Sequence, residues 1–155
     1  MGLTWPVVLM KFMMKTKIFI DSSFWLAFFN QEDALHQKAL SFSQNKKFSQ
    51  STLITADHVI DEVLTRLKKK VDAKAALLFY EILQRKIQEG SLVFLLTTQE
   101  ILDRAYKIFK NNPSPKTFSF TDAIIVALMK THKIKNLLTF DQDFKKIRPK
   151  IKVLP

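Results

Sequence analysis

Apolar residues fall in short blocks whose spacing changes along the chain, and the change separates strands from helices. Lys17-Ile18-Phe19-Ile20 is a β-rich run that stops at Asp21-Ser22-Ser23, where a hydroxyl or carboxylate can cap a helix over 24–29. A second helical stretch is expected over about 34–46, followed by an extended piece over 51–54. Ala56, Val59, Ile60, Val63, Leu64 and Leu67 then share one face of a helix over 56–70, whose basic last turn suits the helix dipole. Asp72 can cap a further helix, with Ala75, Leu78, Phe79 and Ile82 turned inward and Gly90 near its end.

Residues 92–96, LVFLL, read as a buried strand, and Thr97 with Glu100 as a capping box for a helix that stops before Asn112-Pro113-Ser114-Pro115. Residues 123–129 are apolar all round, the pattern of a central buried helix. Residues 137–140 and 151–154 supply the last strands. Strands and helices alternate, so the expected architecture is α/β, a parallel sheet covered by helices. One domain is expected over 15–155, preceded by an extension over 1–14. The apolar stretch 3–10 lacks a basic region before it and a small-residue cleavage site after it, so it does not read as a secretory signal, and Met13 or Met14 is an alternative start.

Composition narrows the chemistry. The 155 residues, 47% of them apolar, suffice for one domain with a substantial core. Only Gly2 and Gly90 are glycines, which excludes glycine-rich phosphate loops and dinucleotide fingerprints. There is no cysteine, which excludes disulfides, thiolate zinc sites and cysteine nucleophiles and is compatible with a cytoplasmic setting. His36, His58 and His132 lie too far apart in sequence to form a local ligand pair. No stretch approaches the roughly 20 apolar residues of a membrane span, so no membrane role is expected. With 25 Lys+Arg against 14 Asp+Glu, the net charge of +11 favours a phosphate-rich partner such as nucleic acid.

In an open parallel sheet, ligands bind beyond the carboxyl ends of the strands, which directs attention to acids placed there. Asp21 follows the first strand run, Asp141 follows 137–140, and Asp122 opens the all-apolar helix. Each also has a local use: Asp21 as a helix cap, Asp122 as an N-terminal acid with Ser119 as cap, Asp141 as the start of a turn. Glu62 lies to one side of the Val59/Ile60/Val63/Leu67 stripe, where periodicity alone reads it as solvated. A cluster of such acids repels itself by about 1 kcal/mol per pair in bulk water at 4 Å, and by about 4 where partly shielded, and therefore calls for a cation. An all-oxygen site selects hard ions, Mg²⁺ or Mn²⁺.

Four segments, IFIDSSFWLAFF, ITADHVIDEVLTRL, FSFTDAIIVALMK and LLTFDQDF, together resemble the PIN domain, the metal-dependent ribonuclease fold of VapC-type toxins of toxin–antitoxin pairs. They occur in the family's order over 17 to about 144. The resemblance implies a three-layer fold with a central parallel sheet of about five strands. It implies that Asp21, Glu62, Asp122 and Asp141 form the catalytic, Mg²⁺- or Mn²⁺-binding site, with Ser22 and Thr121 assisting and Asp143 competing with Asp141 for the last place. It further implies in-line hydrolysis of RNA leaving a 3′-hydroxyl and a 5′-phosphate, a cognate antitoxin and a homodimer. The lysine and arginine candidates for holding the RNA backbone are Lys68, Lys69 and Lys70, and the C-terminal series Lys145, Lys146, Arg148, Lys150 and Lys152.

Two PIN alternatives carry different expectations: a module that binds RNA or protein without cutting, and an RNA-processing nuclease without an antitoxin. A haloacid-dehalogenase-like phosphatase also places an acid after its first strand, but needs a second Asp two residues on, where this chain has Ser23.

Overall fold

A computed structural model describes residues 15–155, so the expectations for residues 1–14 lie outside the described residues. Five parallel strands, β1 (Lys17–Ile20), β2 (Thr52–Ala56), β3 (Leu92–Leu95), β4 (Asn136–Leu138) and β5 (Lys152–Leu154), form one sheet in the order β3-β2-β1-β4-β5. Seven α-helices flank it: α1 (Ser22–Phe29), α2 (His36–Ser43), α3 (Lys46–Ser49), α4 (Asp57–Lys70), α5 (Ala73–Gln88), α6 (Gln99–Lys110) and α7 (Phe120–Thr131). The chain moves outward from β1 through β2 to β3, then returns to lay β4 on the other side of β1. The crevice between the carboxyl ends of β1 and β4 is therefore the topological switch point, where a doubly wound sheet opens to a ligand.

The core follows from the two most apolar elements. Ile18, Phe19 and Ile20 of β1 are fully buried, and so are all seven residues of α7 from Ala123 to Met129. A fully apolar helix has no polar face to offer water, so it can only be stable covered on every side. Phe24 on α1 packs at ring-centroid distances of 5.8–6.4 Å from Trp25, Phe28, Phe42, Phe48 and Phe140. This aromatic cluster joins α1, α2 and α3 to the segment that follows β4. Among the described residues, no helix is long and apolar enough to cross a membrane.

Several local expectations give way to tertiary packing. The helical stretch expected over 34–46 is two helices, because Asn45 adopts an extended conformation and its side chain caps α3 by accepting from Lys47 N. The inward face of α5 is Ala76, Phe79 and Leu83, and Leu78 is 50% exposed. The sequence AALLFYEIL carries apolar residues on more than one face, and contact with α4 selects between them. The run 92–96 is not a buried strand throughout: β3 is an edge strand, and Val93 is 40% exposed. The last two strands are shorter than expected, β4 ending at Leu138, which leaves Asp141 three residues beyond it.

The capping residue of α6 is Thr98, whose hydroxyl accepts from Ile101 N, and not Thr97. Thr97 is drawn instead to Asp57 at the start of α4, donating from its backbone N at 2.9 Å and from its Oγ1 at 2.6 Å. This pair ties the carboxyl ends of β2 and β3 together. Partial burial alone would raise the Asp57 pKa, but the Thr97 bonds, the His58 backbone N–H and the His58 charge outweigh it and hold the carboxyl below its ordinary value. A depressed carboxylate contributes stability above its unfolded pKa and loses it as pH falls through the folded one. Asp57→Asn is accordingly expected to cost about 1–3 kcal/mol at pH 7 in urea unfolding, with the gap to wild type closing below about pH 4.

Candidate active site

Asp21 is placed by the sheet. Its backbone N donates to Leu138 O at 3.0 Å, continuing the β1–β4 ladder by one residue, and α1 then begins at Ser22. Although Asp21 occupies the N-cap position, its side chain makes no capping bond. The carboxylate, 3% exposed, accepts from Thr139 Oγ1 at 2.7 Å and Ser23 Oγ at 2.9 Å on Oδ2, and from Ser22 Oγ at 3.4 Å on Oδ1. Burial raises its pKa against the pull of these hydroxyls, and the charge of Glu62 raises it further.

Asp122 stands at the third position of α7 in a reciprocal capping box. Its Oδ2 accepts from Ser119 N at 2.7 Å and Ser119 Oγ at 2.8 Å, while Ser119 Oγ accepts from Asp122 N at 3.1 Å. The local use foreseen for this residue is therefore present. It does not exhaust the side chain, because burial first, then the charges of Asp21 and Asp141, push its pKa up to about 6 against the Ser119 bonds. Glu62 lies on the second turn of α4 and accepts from Arg66 Nη1 at 2.8 Å, one turn further along.

Asp141 and Asp143 separate clearly. Asp141 begins a short 3₁₀ turn over Gln142–Lys145, accepts from Asp143 N at 2.8 Å, and has the charge that reaches Asp122. Asp143 is held by Lys146 Nζ at 2.8 Å and by the Thr117 hydroxyl, which keep its pKa low. The electrostatic neighbourhood thus joins Asp21 to Glu62 and Asp122 to both Asp21 and Asp141, with Asp143 turned to other partners. Ser22 touches Asp21 from the first position of α1, and Thr121 precedes Asp122 on α7.

The basic candidates divide between two ends of the molecule. Lys145, Lys146 and Arg148 follow Asp141 closely, and the Arg148 backbone is clamped by Asn112, whose side chain accepts from Arg148 N at 2.7 Å and donates to Arg148 O at 2.6 Å. Lys68, Lys69 and Lys70 occupy the last turn of α4, roughly 9 Å or more along the axis beyond Glu62. Lys70 shares a concavity there with Phe29 and Asn30 at the far end of α1. The fold does not bring this run to the acids.

Two groups at the site were not anticipated. Thr139, 1% exposed, donates to Asp21 and accepts from Asp141 N at 3.0 Å, so one hydroxyl joins the two acids that follow β1 and β4. Ser23 lies 3.0 Å from the Thr139 hydroxyl and accepts from Phe140 N at 3.0 Å. The available signal was a hydroxyl standing alone in the apolar run LLTF. Among the described residues, no three acid or imidazole side chains are closed into a ready ligand shell, Glu62 being turned to Arg66 and Asp122 to Ser119. The donor chemistry nonetheless fits a hard divalent cation: the carboxylates are oxygen donors, and the two most buried, Asp21 and Asp122, are destabilised as anions by burial first and then by neighbouring carboxylate charge.

The family model described as PIN domain matches residues 18–149. The chain is 28% identical over 127 residues to a VapC ribonuclease of Archaeoglobus fulgidus, covering 81% of this chain and 77% of that one. It is 29% identical to the 23S rRNA-specific endonuclease VapC20 of Mycobacterium tuberculosis, covering 82% and 91%. The crystal structure of Mycobacterium tuberculosis VapC20, described as a Sarcin-Ricin loop cleaving toxin, superposes with a TM-score of 0.71 at 27% identity, covering 89% of this chain and 99% of that one.

The raised pKa of Asp122 has a measurable sign. A carboxyl that holds its proton more tightly when folded contributes stability below its unfolded pKa, near 4, and loses it as pH rises through about 6. In EDTA, Asp122→Asn is expected to be more stable than wild type by about 1 kcal/mol at pH 7.5, after allowance for solvent screening and the lost helix-terminal charge. The difference should vanish by pH 4 in thermal melts, and a variant less stable than wild type at pH 7.5 refutes the field assigned to this site.

Proposed function

Because the chain belongs to the PIN-domain family, we propose that it is a Mg²⁺- or Mn²⁺-dependent endoribonuclease, the toxin of a toxin–antitoxin pair, working as a homodimer. The observation that carries the reading is the buried Asp21 at the switch point, within the field of Glu62 and electrostatically joined to Asp122 and through it to Asp141. Similarity to a VapC ribonuclease and to an rRNA-cutting VapC endonuclease supports RNA as the substrate. An acidic crevice in a chain of net charge +11 suits a polyanion that is held by cations and cut at carboxylates.

Asp21, Asp122 and Asp141 would hold the cation, with Glu62 joining them when it turns from Arg66. A divalent cation bound there supplies the positive charge that offsets the carboxylates and the scissile phosphodiester, and makes a nearby water easier to deprotonate. The chain's own residues set the geometry. Thr139 and Ser23 hold Asp21 in one rotamer, so its free lone pairs are aimed before any ligand arrives. Ser119 fixes one oxygen of Asp122 and leaves the other for the crevice. Arg66, released from Glu62, gains a phosphate as an alternative partner, and Lys145, Lys146 and Arg148 flank Asp141 where the RNA backbone would pass. Ser22 and Thr121 stand beside Asp21 and Asp122 as further polar groups of the crevice.

The test uses purified protein freed of bound partners and incubated with structured RNA. Cleavage is expected in Mg²⁺ or Mn²⁺ and not in EDTA, with Asp122→Asn reduced by about 10²-fold or more. Folded, partner-free protein that cuts nothing in either metal, or cuts equally in EDTA, overturns the assignment. Thr139→Val is expected to lower kcat with little change in KM, and Thr139→Ser to restore it, since only the hydroxyl orients Asp21.

A further inference from the structure

The amino edge of the sheet, at the opposite end of α7 from Asp122, carries a second charged feature. A concavity of about 470 Å³ is lined by Lys130, Lys133, Lys135, Lys150 and Lys152, with buried Ile134 and partly buried Ile151 contributing to its floor. All five lysines are exposed, and among the described residues no carboxylate lines the concavity or pairs with any of them. A sixth, Lys17, reaches the same helix end and donates to His132 O at 3.2 Å.

This grouping is built by the tertiary structure. Parallel pairing sets Asn136 against Lys152, and Lys152 N donates to Lys135 O at 3.1 Å, which places Lys152 of β5 beside Lys135, the residue before β4. The end of α7 adds two more. The helix dipole accounts for Lys130, and protection of an edge strand would account for Lys152. Neither accounts for Lys133. Past its C-cap at His132, α7 closes in a Schellman turn, with Ile134 N bonded to Met129 O at 2.8 Å and Lys133 N to Lys130 O at 3.3 Å. The residue in the left-handed position of that turn, usually glycine, is Lys133 at φ 54°. A side chain with a Cβ is strained there, so the lysine is held at a cost to the fold.

We propose that this lysine concavity is a second RNA-binding site, taking backbone phosphates of the same RNA whose scissile bond lies at the acidic crevice. The inference rests on the reading that RNA is the substrate. Asp122 is nine helical steps, about 14 Å, from the end of α7 at Thr131, and Lys133 lies two residues further on. A tetranucleotide at the acids would not engage it, whereas a folded RNA that wraps the domain would. An apolar floor beneath exposed lysines strengthens their field toward a polyanion, the Lys150 ammonium also donating to Lys145 O at 3.1 Å. The site thereby favours long, structured substrates over short single strands without reading base sequence.

The experiment compares wild type, the triple variant Lys130→Gln/Lys133→Gln/Lys135→Gln, and Lys133→Gly. Affinity for a stem–loop RNA is measured in EDTA across a salt series, and cleavage of that RNA and of a tetranucleotide in Mg²⁺. The slope of log affinity against log salt is expected to fall by about one for each lysine removed, with tetranucleotide cleavage unchanged and stem–loop cleavage reduced through KM. Lys133→Gly separates the site from the scaffold: it should raise the melting temperature by relieving the left-handed backbone while weakening stem–loop binding. An unchanged salt slope in the triple variant overturns the proposal, as does loss of binding to phosphatidylglycerol vesicles without loss of RNA binding. Absence of tetranucleotide cleavage in wild type would instead count against the nuclease assignment, and the EDTA binding series would still decide the lysine site.

Discussion

A carboxylate buried at the end of the central strand must be satisfied, and the organisation of the carboxyl edge follows from that requirement. Asp21 is out of reach of bulk water, so every hydrogen bond it makes must come from the chain. The donors are Ser22 and Ser23 from the first turn of α1 and Thr139 from the segment after β4. Meeting that need brings the ends of β1 and β4 together, since Thr139 also takes the Asp141 N–H and Ser23 takes the Phe140 N–H. Phe140 then stacks on Phe24 at 5.8 Å, connecting the polar network to the aromatic core beneath it. Polar satisfaction and apolar packing thus fix the same segment in the same place.

The carboxyl edge carries both signs of charge, with Lys145, Lys146 and Arg148 beside Asp141, whereas the amino-edge concavity is lined, among the described residues, by lysines and no carboxylate. Acids gather at the carboxyl edge, where burial and then the charges of Asp21 and Asp141 push the Asp122 pKa up to about 6, and lysines gather at the amino edge around the end of α7. The long apolar helix lies between the two ends, and its dipole favours the charge at each. An acid at its first turn is favoured by the helix and opposed by its acidic neighbours, while Lys130 at its last turn is favoured outright. That opposition at Asp122 marks the carboxyl edge as built for something other than stability.

The edges of the sheet show the reverse economy. β3 is partly exposed and is tied to β2 through the Asp57–Thr97 pair beyond their carboxyl ends. β5 carries Lys152, with Lys150 just before it, and these charges make further strand addition unfavourable. One set of charged residues can therefore guard an edge and still form a binding surface, because both uses require the same exposure.

What the sequence determined by itself was local. The apolar pattern identified a helix over 56–70, found at 57–70, a buried helix over 123–129, found within 120–131, the strand over 17–20 and the alternation that makes a parallel α/β sheet, because such burial is a short-range requirement. It also presented the four acids in order, with Asp122 at a helix start. Only the tertiary structure decided which apolar face of α5 is inward, that β3 lies at an edge, that Thr97 serves Asp57 and not α6, and that Lys68–Lys70 lie away from the acids. The same holds for the distinction between Asp141 and Asp143, for Thr139 as the donor to Asp21, and for the lysines drawn together by the pairing of β4 with β5. Each of these depends on which residues distant in sequence share a desolvated volume, and no local spacing encodes a partner that arrives from a hundred residues away.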